Sequence, residues 1–70
     1  MIETQSRIRE SRRAARLMLS EARHGAQRAF QVLVDCAMAS QDPRVLETEI
    51  EAVATLESDI NVALKALEEL

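Results

Sequence analysis

The 70-residue chain has one cysteine, one histidine, one glycine, one proline and one aromatic side chain, with no tryptophan or tyrosine. Each scarcity excludes something. Cys36 alone cannot form an intrachain disulfide, and with His24 alone there is no CxxC or HxxxH spacing for an ordinary zinc site. Phe30, the single aromatic, leaves Leu, Ile, Val, Met and Ala to build any core or interface. No apolar run is long enough to span a bilayer, because the most apolar segment, residues 30–39, is broken by Gln31 and Asp35. The opening, with Glu3 and then a series of arginines, does not read as a secretory leader. A lone thiol is compatible with a reducing cytoplasm.

Catalysis fails on the same inventory. Cys36 lies on an apolar helical edge with no histidine or cation placed to activate it, so it reads as a small hydrophobe. His24 has no second ligand and no orienting acid. Glu68-Glu69 and Glu47/Glu51 read as solvated helix faces with no enclosed pocket around them. The expectation is therefore no enzyme, no cofactor and no metal.

What the chain does hold is helical pattern. One glycine and one proline in a chain that is 47% hydrophobic and 30% charged suit helices that bury one face, not a disordered segment. From about Ala14 a 3.6-residue period runs through Ala15, Leu19, Ala22, Ala26, Leu33 and Ala37, with Phe30 beside it. In the second half Leu46, Val53, Ile60 and Leu67 recur every seven residues, joined by Ile50, Leu56, Ala63, Leu64 and Leu70. Between the two lies Ser40-Gln41-Asp42-Pro43, where Asp suits an N-cap and Pro the first helical position. The fold class expected is all-α, an antiparallel two-helix hairpin of coiled-coil character turning near Ser40–Pro43. Residues 1–70 form one domain, with 1–12 partly frayed or extending past the packed region, helix 1 over 13–40 and helix 2 over 43–70. Thr4 or Ser6 could cap the first helix, though neither has the glutamate three residues on that completes a capping box. Gly25 admits two readings, a kink at His24-Gly25 or a place where another helix comes close. With no proline or turn cluster beside it, a continuous helix is expected.

Charge is divided along the chain. Up to Ser40 seven arginines oppose four acids, a net +3, and from Gln41 onward two bases oppose eight acids, a net −6. Opposite signs favour folding one arm back on the other. A corner near Ser40 makes facing residues carry numbers adding to about 80–82. One side then pairs Arg12 with Glu68, Arg23 with Glu57 and Phe30 with Ile50, exposed ion pairs worth about 0–1 kcal/mol each. The other side pairs Met18 with Ala63, Gly25 with Leu56, Ala29 with Ala52 and Cys36 with Val45, with Val32 nearby. That side is an apolar groove that two helices cannot cover. Its candidate partner-binding residues are Met18, Ala29, Val32, Cys36, Val45, Leu56, Ala63 and Leu70.

Arg9, Arg12, Arg13, Arg16 and Arg23 share a broad sector of the first helix and could contact phosphates. The net charge of −3, the acidic second helix and the lack of stacking aromatics weigh against nucleic acid as the partner. A membrane surface is disfavoured because the alanine-rich stripe of the first arm is needed by the second. Association with another polypeptide remains, either a second hairpin in a four-helix bundle or a different protein.

Two helices joined by a short polar turn, with Gln41-Asp42-Pro43 leading into an acidic Leu/Ile-rich helix, resemble the small YscE-type co-chaperones of bacterial type III secretion. The likeness runs from Arg16 to Leu70 and is strongest from Gln41 to Leu67. It implies a non-catalytic cytoplasmic protein that pairs with a larger tetratricopeptide-like chaperone. Together the two keep the needle subunit soluble and unpolymerised. Needle subunits of the same apparatus are also short hairpins with a proline-containing turn and form a competing reading, as does a homodimeric, RNA-binding four-helix bundle. No motif transfers contact residues from the family, so the groove residues rest on helical geometry alone.

Overall fold

A computed structural model describes residues 2–42 and 44–69. It is an all-α antiparallel hairpin of two helices, α1 (Ile2–Ala39) and α2 (Glu47–Glu69), and no strand is present among the described residues. Residues 2–12, expected to fray in part or to extend past the packed region, are helical and continuous with the rest of α1. Arg, Glu and Gln dominate this stretch and all favour helix, no Gly or Pro interrupts it, and Glu3 lies in the first turn where it complements the helix dipole. The start at Ile2 also removes the capping role considered for Thr4 or Ser6. α1 runs unbroken through His24-Gly25, as the continuous-helix reading expects.

The corner departs from expectation in an instructive way. Pro43 itself lies outside the described residues. Asp42 makes the hydrogen bond of an N-cap, its Oδ1 accepting from the Arg44 backbone N–H at 2.9 Å, and its carbonyl accepts from the Val45 N–H at 3.2 Å. This begins only a turn. Leu46 adopts φ 60°, in the left-handed region, and regular helix starts afterwards at Glu47, with the Ile50 N–H bonded to the Leu46 carbonyl at 2.8 Å. On the other side the Ser40 N–H closes the last turn of α1 on the Cys36 carbonyl at 3.1 Å, and Ser40 Oγ accepts from the Asp42 N–H at 3.2 Å. A left-handed non-glycine residue costs about 1–2 kcal/mol, so nothing in the sequence marks Leu46 for it.

Starting α2 four residues late moves the pairing by about one helical turn. The buried residues are Ala26, Ile60 and Leu64, with Leu19 and Val53 packed against them. Facing residues thus carry numbers adding to about 84–86, from Arg23 with Asn61 to Ala26 with Ile60, instead of 80–82. Arg23, expected against Glu57, instead donates from Nη1 to Asn61 Oδ1 at 3.5 Å. Ile50, expected against Phe30, borders a shallow depression with Val34, Ala37 and Met38. Arg12 is half-buried and partnered. The seam on α1 follows a three-four spacing through Leu19, Arg23, Ala26, Phe30, Leu33 and Ala37, and that on α2 through Ile50, Val53, Glu57, Ile60, Leu64 and Leu67, all half-buried or buried.

At this register Glu69 falls level with about residue 17 of α1. Residues 2–16 therefore form an arm that outruns α2 by about 22 Å at 1.5 Å per residue. The Cα trace spans 60 × 14 × 13 Å, and its radius of gyration is 16.8 Å where a compact chain of this length has about 11 Å.

Candidate protein-binding face

At 100° per residue, the side of α1 holding Met18, Ala22, Gly25, Ala29, Val32 and Cys36 and the side of α2 holding Ala52, Leu56 and Ala63 flank the seam in the same direction. Met18 is 68% exposed, Val32 66% and Leu56 52%, values that leave most of each side chain in water. Ala29 and Cys36 are exposed, while Ala63 and Val45 are half-buried, Val45 within the corner turn. Leu70 lies outside the described residues. The pairings across this side shift with the register: Leu56 stands level with about Phe30 in place of Gly25, Ala63 with about Arg23 in place of Met18, and Ala52 with about Val34 in place of Ala29, while Val45, in the corner turn, bonds back to Asp42 and is not paired with Cys36 by helical register. Each shift in level is the same single turn, caused by the late start of α2.

Gly25 is half-buried, yet a Cβ built on it meets nothing within 4 Å. Within this chain no helix approaches it closely, and the space over it is open. The floor between the helices is thus lined by Ala, Gly and Cys with Val32 and Leu56 at its margins, a surface able to admit another helix at short range.

The opposite flank is different in kind. Arg9, Arg13, Ser20, Gln27 and Gln31 on α1 share it with Asn61, Lys65 and Glu68 on α2. Gln31 Nε2 donates to Asp35 Oδ1 at 2.8 Å along α1. Open depressions follow α1 at Glu21, His24, Gln27, Arg28 and Gln31, and at Gln5, Ile8, Arg9 and Arg12. Both lie along a single helix and are open to solvent. Among the described residues no three His, Cys, Asp or Glu side chains gather in a way that could hold a metal ion, and no helix is long and apolar enough to cross a membrane.

Among the described residues, the large exposed apolar side chains Ile8 at 45%, Leu17 at 63%, Met38 at 79% and Val62 at 66% fall outside the groove read from the sequence. Leu17 and Val62 point away from the seam, as their positions on the helical wheel indicate. Ile8 continues the seam beyond the end of α2, a role hidden while the arm was expected to fray.

The exposed surface totals 5860 Å², whereas a compact monomer of 7.8 kDa shows about 4,400 Å². The chain leaves roughly 1,500 Å² more in contact with water than its mass requires. Comparison with family models, with curated proteins and with solved structures found no match for this chain.

Proposed function

We propose that this hairpin is a non-catalytic binding module whose apolar groove packs against another helical protein. The observation that carries the reading is the imbalance, among the described residues, between three buried side chains and a long exposed apolar face. A chain with so little interior gains stability and a unique arrangement by sharing its surface. Helix-in-groove association requires only such a face, with small residues at its centre and larger apolar ones at its margins.

Of the roles open to such a module, the resemblance to type III secretion co-chaperones favours one. In it the chain pairs in the bacterial cytoplasm with a tetratricopeptide-like chaperone and keeps a needle subunit unpolymerised. Coexpression with candidate chaperones tests this. Val32→Asp or Leu56→Asp places a charge on the groove margin, where the hairpin itself makes little use of the side chain, and is expected to abolish co-purification while far-UV helicity persists. Undiminished recovery of the complex with either variant would refute the groove assignment.

A further inference from the structure

We infer that the arm of α1, residues 2–16, docks in the groove of a second copy of this chain, and that the two copies do so reciprocally. This rests on the same reading of the groove as the proposed function, but not on the identity of any other partner.

The arm is built like a helix awaiting a neighbour. Ile8 continues the seam, is 45% exposed, and sits in a shallow depression with Gln5, Arg9 and Arg12. Nothing of α2 among the described residues stands opposite it at the observed register. The groove is the matching absence, a floor of small residues with open space over Gly25.

One placement satisfies both. Two α1 helices laid antiparallel with Ile8 over Gly25 align residues 2–16 of one copy with 31–17 of the other. The two-fold axis then repeats the contact, so a single docking fills both grooves. Each level of the overlap holds three helices, both copies' α1 and one α2, and the two α2 helices follow one another end to end.

Charge identifies the occupant. The arm carries Arg7, Arg9, Arg12, Arg13 and Arg16 against Glu3 and Glu10, a net +3. The part of α2 beside the docked arm, residues 55–69, carries Glu57, Asp59, Glu68 and Glu69 against Lys65, a net −3. With Ile8 pointing into the groove, helical geometry turns the flank bearing the exposed Arg9 and Arg16 toward that acidic helix, whose exposed Asp59 lies on the groove rim. Area agrees as well. The surplus of roughly 1,500 Å² per chain exceeds the ~800 Å² that each partner of a stable pair buries. The copy-to-copy pair is then the waiting form, in which each groove is covered until another helical protein displaces the arm.

Sedimentation of the full chain at low and high salt tests this. The wild type is expected to be a dimer at low salt and to dissociate as salt screens the arm. Arg9→Glu with Arg16→Glu, on the exposed arm and outside the hairpin's packing, is expected to weaken the dimer at least tenfold, and Asp59→Arg likewise. Mixing these two variants is expected to restore a mixed dimer. Ile8→Asp, read alongside far-UV helicity, gives a second route that leaves the arginines intact. A monomeric wild type, a dimer indifferent to salt and to both reversals, or failure of the mixed pair overturns the inference. So does a titration with single-stranded RNA in which the arm's arginines bind RNA while the protein stays monomeric. A monomeric wild type that still captures a chaperone through Val32 and Leu56 refutes the reciprocal pair alone. A salt-sensitive dimer that captures none supports the pair and counts against the secretion role.

Discussion

Gly25 shows how a single residue can be costly in one setting and useful in another. In the middle of α1 it costs about 1 kcal/mol relative to alanine, and nothing within the chain uses the space it leaves. Gly25→Ala is therefore expected to stabilise the isolated hairpin by up to about 1 kcal/mol, measured by urea unfolding at low protein concentration. The same methyl group stands on the floor of the groove, so it is expected to weaken association. Improved stability with unchanged binding would place the close approach elsewhere. The residue pattern made Gly25 conspicuous and left two explanations standing. The unbroken helix removes the kink, and the open space over Gly25 shows that no helix among the described residues makes the close approach.

At the scale of the elements, the connection between the helices carries the most information. Asp42 and Pro43 mark a helix start by the ordinary rules, and Asp42 does cap. The helix it begins is interrupted one turn later at Leu46. Both helices, their antiparallel arrangement and both seam spacings were legible in the apolar periodicity. Their mutual register was not, because it depends on a left-handed leucine that local preference disfavours. A seam with apolar residues at a repeated three-four spacing brings apolar side chains together again after a slide of one turn, and the Arg23–Glu57 pair was too weak a constraint to decide it. A β-branched residue tolerates φ 60° worse than leucine does. Leu46→Ile is thus expected to destabilise the hairpin more than Leu46→Gly, which relieves the backbone while losing a half-buried side chain. Thermal unfolding of the two variants side by side checks the order.

For the whole molecule, the groove was readable in outline because helical geometry assigns residues to sides without knowledge of register. Met18, Val32 and Leu56 stay on the exposed side under a one-turn slide. An extension past the packed region was one of two readings of residues 1–12; its helical state was not readable, since its charges equally suggested a loose end. Its helicity changes the account of the surface, extending the unpaired seam to Ile8. A chain whose missing interior is supplied by neighbours unfolds together with losing them. Its Tm is accordingly expected to rise with protein concentration, and to rise further with a bound helical partner. A Tm flat from dilute to concentrated solution would contradict this.

Two helices lying side by side offer little depth in which a peptide group can escape the solvent. Amide protons on its outward carbonyl ladders can be slowed in exchanging with deuterium only by the helix itself or by whatever lies on top. Hydrogen exchange along α1 should therefore act as a footprint. Residues 2–16 and the stretch around Gly25 would slow together when copies pair, and would part ways when a different protein takes the groove and sets the arm free.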